Sequence, residues 1–127
     1  MGYGSVETIG KEFFATLEAG NIDKLETLVT IPFAFDRKRV IYKMKELRES
    51  LLDLLKNTQK KPLHVEEITC VNAPDYLLED DFNRDFASKN LRRGTEYVIV
   101  ATFENEKVLL FARQTGFGFY KIVGFSD

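Results

Sequence analysis

The chain has 127 residues, of which 44% are hydrophobic and 30% charged, with a formal net charge of −2 and a pI near 5.5. The length suits a single domain, residues 1–127, with one buried core. The charge balance lacks the positive excess with which proteins attract nucleic acids or anionic membranes, so we expect neither partner.

The single cysteine, Cys70, excludes an internal disulfide, and one histidine is too few for a structural zinc site. We therefore predict no metal and no cofactor. The first ten residues contain no basic segment followed by an apolar run, and the sequence has no apolar run of the about eighteen residues that span a bilayer, so we expect a cytoplasmic protein.

Three helices are predicted in the first half of the chain. Apolar residues at helical spacing follow Ser5, a possible N-cap, as far as Gly20. Asn21 can cap a second, shorter helix over residues 22–29 that must stop before Pro32. Leucines spaced by three and four then predict an amphipathic third helix over residues 44–55.

Six strands are predicted from apolar and aromatic runs. They cover residues 32–36, 39–43, 63–71, 95–103, 107–114 and 117–125. The apolar phase of the strand over residues 63–71 slips between Val65 and Ile68, which predicts a bulge near Glu66 and Glu67.

The charged segment 72–93 is predicted to be a polar excursion that contains a short helix. Leu78, Phe82 and Phe86 recur at intervals of four, and the pairs Asp80–Arg84 and Asp85–Lys89 have the spacing of helical ion pairs.

The last strands are apolar at odd and even positions, as in "YVIVA" and "VLLFA", so both faces of the sheet should be covered. Three helices can cover only one face. We therefore expect the other face to pack on a second copy of the chain, which predicts a homodimer through the sheet.

The order of these elements resembles that of the nuclear transport factor two-like superfamily (cystatin-like fold), which includes ketosteroid isomerase and polyketide cyclases. The segment "FFATLEAGNIDKLETLV" looks like the family's opening helical hairpin, and "PFAFD…ELRESLLDLL" is similar to its strand pair and third helix. The resemblance implies an α+β fold in which three N-terminal helices pack on a strongly curved mixed or antiparallel sheet that forms a cone.

Three side chains are candidates for catalysis. Asp36 falls near the position where the resemblance places the proton-abstracting carboxylate of ketosteroid isomerase, but an aspartate between two strands is also a common turn residue. A histidine can accept a proton near neutral pH when its environment leaves it unperturbed, so His64 could act as a base, or it could be an exposed structural residue. Tyr42 could donate a hydrogen bond to a substrate or simply lie half-buried with its hydroxyl in water.

The oxyanion donors that the isomerase mechanism requires are missing. Phe13 stands where the resemblance implies a tyrosine, and the strand "VLLFARQ" carries no acid. The first hypothesis is therefore a domain that binds a small hydrophobic molecule in a conical pocket without catalysis.

The predicted lining of that pocket is Phe13, Phe33, Phe35, Leu51, Tyr97, Arg113 and Phe119. Within this set, Arg113 either reaches the sheet edge or is partly buried and needs an anionic partner, which could be a ligand carboxylate. One alternative is a lyase or isomerase with Asp36 or His64 as the general base. Another is a dimeric interaction module that uses the open sheet face or segment 72–93.

Overall fold

The computed structural model describes residues 2–60, 64–91, 96–103 and 106–127. Within these ranges the helices are α1 (Gly2–Ala19), α2 (Ile22–Thr27), α3 (Met44–Lys60) and α4 (Asp81–Asn90), with a 3₁₀ turn at Ala73–Asp75. The strands are β1 (Val29–Phe35), β2 (Arg39–Ile41), β3 (Glu67–Asn72), β4 (Glu96–Phe103), β5 (Glu106–Gly116) and β6 (Phe119–Ser126). The predicted order of helices and strands is confirmed.

The turn between α1 and α2 forms as the sequence predicts. Gly20 has a φ of +72°, and the backbone N–H of Asn21 donates to the carbonyl of Thr16 at 3.3 Å, which closes the end of α1. The Asn21 side chain then accepts from the backbone N–H of Lys24 at 3.1 Å and caps α2. The two helices therefore form a tight hairpin.

Several predicted boundaries are wrong. The second helix ends at Thr27 because Val29 is already paired with Ile122 of β6 as the first residue of β1. Pro32 lies inside β1, between the paired residues Val29 and Ala34, where the β1–β6 register is broken; proline has no N–H for the ladder. The third helix continues five residues past the predicted end, to Lys60.

The strands form one six-stranded sheet in the order β2-β1-β6-β5-β4-β3. Neighbours are antiparallel except β1 and β6, which are parallel, so the fold is α+β with a mixed sheet. The predicted strand over residues 63–71 is shorter than expected: β3 begins at Glu67, and residue 63 lies outside the described residues.

The predicted irregularity near Glu66 and Glu67 is present. Glu67 pairs with Thr102, and the backbone N–H of Glu66 donates to the carbonyl of the same Thr102 at 2.8 Å. Two successive residues therefore face one partner, which lets both Val65 and Ile68 pack against the same core.

The main core lies between one face of the sheet and helices α1, α2 and α3. Its largest side chains have essentially no accessible surface; they are Phe13, Leu17, Leu25, Phe33, Ile41, Leu47, Leu51, Ile99, Leu110 and Ile122. Each such side chain contributes about 1.5–3 kcal/mol through burial, so this layer holds the three helices on the sheet. No helix among the described residues is long and apolar enough to cross a membrane.

The second face of the sheet is packed by the chain's own segment 73–91, where the sequence led us to expect a second copy. Leu78, Phe86 and Leu91 pack there against strand residues that include Val98 and Phe111. The rings of Phe86 and Phe111 stack with centroids 5.8 Å apart. The predicted excursion with a short helix is confirmed, and it is the segment that covers this face. The homodimer stays a prediction.

Candidate functional site

Asp36 forms a tight turn between β1 and β2. Asp36 and Arg37 have φ values of +52° and +58°, and the backbone N–H of Lys38 donates to the carbonyl of Phe35 at 3.0 Å. The two positive φ values and this hydrogen bond are typical of a type I′ turn, which here lies within a three-residue connection between the paired residues Phe35 and Arg39. The Asp36 carboxylate accepts from the backbone N–H of Asp127 at 3.3 Å, so it also fixes the end of β6.

The three candidate catalytic side chains are not assembled into one site. Tyr42 follows β2 and is 68% exposed, whereas His64 precedes β3 and its side chain is 86% exposed. Strands β2 and β3 are the two edges of the sheet, about 24 Å apart along its width at about 4.8 Å per strand. Asp36 lies at the β2 side, in contact with Lys38 and Asp127.

Four of the predicted pocket residues belong to the packed aromatic and aliphatic core. Phe13, Phe33 and Leu51 have no accessible surface. A cavity that holds even one water leaves accessible surface on its walls, so these three side chains border no such cavity. Phe35 is half-buried and stacks on Phe125 with ring centroids 6.2 Å apart.

The other three predicted pocket residues occupy separate positions. Tyr97 is buried edge-to-face against Tyr120, at 5.9 Å between centroids. Arg113 donates to the backbone carbonyl of Ile31 at 3.1 Å, which is a structural contact between β5 and β1. Phe119 is 71% exposed at the β5–β6 turn.

A groove of about 330 Å³ lies between α1 and the chain entering β3, and we name it the α1–β3 groove. It is lined by Lys11, Phe14, Ala15, Glu18, His64, Val65, Glu66, Glu67 and Ile68. Phe14, Val65 and Ile68 supply its apolar surface and are continuous with the main core. The His64 imidazole Nδ1 lies 3.6 Å from Glu18 Oε1 at the rim.

The charged side chains of this groove are mostly acidic. Glu18, Glu66 and Glu67 contribute three carboxylates, against the ammonium of Lys11 and the imidazole of His64. The groove therefore favours a neutral or cationic polar group on a ligand over an anionic one.

Cys70 lies on β3 near this groove and is half-buried. Burial, reinforced by the negative charge of Glu7 and opposed by Lys11, raises the pKa of the Cys70 thiol from 9.0 to about 11. The thiol is therefore protonated near neutral pH, so Cys70 is not a nucleophile there.

A second pocket, of about 290 Å³, lies beside the start of α4, and we name it the α4 pocket. It is lined by Arg37, Tyr76, Leu77, Leu78, Glu79, Asp80, Asn83, Lys107, Leu109, Ser126 and Asp127. Sequence reasoning missed its deepest polar pair, Asn83 and Ser126. The available signal was Asn83 three residues before Phe86, a polar side chain on the apolar face of a helix.

Among the described residues, no group of three or more His, Cys, Asp or Glu side chains is placed to hold a metal ion. No protein-family model and no curated protein matches the chain.

Proposed function

We propose that this protein binds a small hydrophobic molecule without catalysis, and that the α1–β3 groove is the binding site. The observation that carries the proposal is the apolar surface of Phe14, Val65 and Ile68 within a groove of about 330 Å³. That volume falls in the lower part of the range of small-molecule sites, about 300–1,000 Å³.

The proposed scaffold is the nuclear transport factor two-like cone. Its support is the order of elements, the packing of α1, α2 and α3 on one face, and two register shifts between β5 and β6. Bulges of this kind bend strands and so favour a curved sheet. In this proposal the centre of the cone is filled by side chains, and the ligand binds at its side, next to α1.

The charge of the groove narrows the ligand class. An apolar body would pack on Phe14 and Ile68, and a neutral or cationic group would meet Glu18 and Glu67 at the rim. His64 can form a hydrogen bond with either kind of ligand group, since an imidazole both accepts and donates hydrogen bonds. A fatty acid, whose head group is anionic, is disfavoured.

The test uses N-phenyl-1-naphthylamine, a neutral apolar dye whose fluorescence rises when it leaves water. Ala15 lines the groove on an exposed position of α1, so Ala15→Trp should fill the groove without disturbing the core. Ala19→Trp is the matched control, because Ala19 is exposed on the same helix and does not line the groove.

We expect saturable dye binding by the wild type and by Ala19→Trp, and its loss in Ala15→Trp. Equal binding by both tryptophan variants would contradict the assignment of the groove. The wild type should bind the dye saturably at concentrations up to about 1 mM, where a dissociation constant corresponds to a binding free energy of about −4 kcal/mol. If it does not, the proposed function is contradicted.

A second candidate function is a homodimeric interaction module. It is favoured by β3, an edge strand whose outer side has no strand partner among the described residues. A second copy that pairs with Glu67–Asn72 would extend the sheet. Light scattering tests it: a wild-type dimer supports a homodimeric function, and a wild-type monomer refutes it.

The lyase or isomerase alternative gains no support, because Asp36, Tyr42 and His64 lie apart. We also propose a cytoplasmic location, which suits a chain whose Cys70 is a free thiol.

A further inference from the structure

We infer that the α4 pocket is a second binding site, and that it takes a small zwitterion with an apolar side chain, that is, an apolar α-amino acid. This inference is independent of the proposed function, because the α4 pocket and the α1–β3 groove share no residue.

The first observation is an unsatisfied acceptor in the pocket wall. Asn83 is only 3% exposed, and its side-chain Nδ2 donates to the hydroxyl of Ser126 at 3.3 Å. Its Oδ1 has no hydrogen-bond partner within the described part of the chain. A buried amide oxygen without a donor is unfavourable, so this position favours a ligand that brings an N–H or O–H group.

The second observation is the pair of cations at the rim. Arg37 and Lys107 both line the pocket and are exposed, and neither has an ion-pair partner in the described ranges. They lie on the β1–β2 turn and at the start of β5, so the fold brings them to one end of the sheet. Two unpaired cations suit a carboxylate.

The acidic lining points to a positive group on the same ligand. Glu79, Asp80 and Asp127 also line this pocket. The Asp80 carboxylate accepts from the backbone N–H of Asn83 at 3.1 Å, which caps α4 and fixes Asn83 in place. An ammonium group that donates to Asn83 Oδ1 would be close to this negative charge.

The remaining walls of the pocket are apolar, so they favour a ligand with an apolar side chain. Tyr76, Leu77, Leu78 and Leu109 line the pocket, and Leu77 is a large exposed hydrophobic residue. A volume of about 290 Å³ far exceeds the roughly 30 Å³ that one water occupies in the liquid. The pocket therefore has room for a ligand of several heavy atoms as well as a donor for Asn83.

The test uses L-leucine and two analogues that each lack one charged group, in calorimetric titrations. In 4-methylpentanoate the ammonium is missing, and in 3-methylbutylamine the carboxylate is missing. We expect L-leucine to bind, and each analogue to bind at least about tenfold more weakly, the loss expected for one charge-assisted hydrogen bond.

Variants connect each group to its partner. Asn83→Leu should weaken the binding of L-leucine and leave the affinity for 4-methylpentanoate unchanged. Lys107→Ala and Arg37→Gly should weaken the binding of L-leucine and leave the affinity for 3-methylbutylamine unchanged. Lys56→Ala is the charge-matched control, because Lys56 is exposed on α3 and does not line the pocket.

The exposed positions of Arg37 and Lys107 keep the test valid if Asn83→Leu does not fold. Equal affinity of the wild type, Arg37→Gly and Lys107→Ala for L-leucine would overturn the inference. So would the absence of L-leucine binding, or a crystal structure at saturating L-leucine that shows only an ordered water on Asn83 Oδ1.

Discussion

Gly124 is a residue of β6 that lies next to Phe111 on the second face of the sheet. The variant Gly124→Ala tests how closely the side chains of this face are packed. A Cβ at this position would overlap Cδ2 of Phe111 and lie 3.1 Å from its Cγ and 3.2 Å from its Cβ. The contact with Cβ is decisive, because that atom is fixed to the backbone of β5 and cannot move away by rotation of the ring.

The expected cost has two parts. Overpacking of a buried site costs about 1–3 kcal/mol, and displacing the Phe111 ring from its stack on Phe86 costs about 0.5–1.5 kcal/mol more. We therefore expect Gly124→Ala to lower the free energy of unfolding by roughly 2–4 kcal/mol, a large part of the about 5–15 kcal/mol typical of a domain.

Equilibrium unfolding in urea measures this change. With a slope of about 1–3 kcal/mol per molar, the midpoint should fall by roughly 1–2 M. Gly116→Ala is the control, since a Cβ there meets nothing closer than 3.7 Å, and it should stay within about 0.5 kcal/mol of the wild type.

A double variant tests the cause. Phe111→Leu in the Gly124→Ala background should cost less than the sum of the two single changes, because the smaller side chain leaves room for the new methyl group. If Gly124→Ala costs no more than Gly116→Ala, or if the two changes simply add, the close packing of Phe111 on Gly124 is not what closes this face.

Two further predictions concern the turn and the thiol. Arg37→Gly should raise the free energy of unfolding in urea by about 0.5–1 kcal/mol, because glycine adopts positive φ without strain; no gain would contradict the type I′ turn. Cys70 should react with Ellman's reagent about 100-fold more slowly than an ordinary thiol at pH 8, because its pKa is raised to about 11. Since the folded thiol keeps its proton longer than the unfolded one, stability should fall as the pH rises from 9 towards 11, and Cys70→Ser should remove that part of the dependence.

The sequence predicted those features that depend on neighbours along the chain. Gly20 and Asn21 marked the α1–α2 turn correctly, because both act on backbone groups within a few residues. The Asp85–Lys89 pair forms at 3.2 Å. The predicted Asp80–Arg84 pair does not: Asp80 caps α4 from just outside it, and Arg84 bonds to Asp81.

Features that depend on distant partners could not be predicted in the same way. Apolar residues at both odd and even positions of β4 and β5 indicate that both faces are buried, but they do not identify what buries them. The contact of Phe86 with Phe111 joins two elements that the sequence pattern treats as unrelated. The same holds for the candidate site, since Asn83 and Ser126 lie 43 residues apart.

The parallel pairing of β1 with β6 makes the sheet depend on its last described strand. β6 lies between β1 and β5, so among the described strands it is the one that pairs with both the β1–β2 hairpin and the β5–β4–β3 meander. These contacts link residues about ninety positions apart, a separation that slows folding through the entropy of loop closure. In a chain shortened before Phe119, the two parts of the sheet would be separated by a gap one strand wide. We therefore expect stable structure to form cooperatively, and only in chains that include the whole of β6.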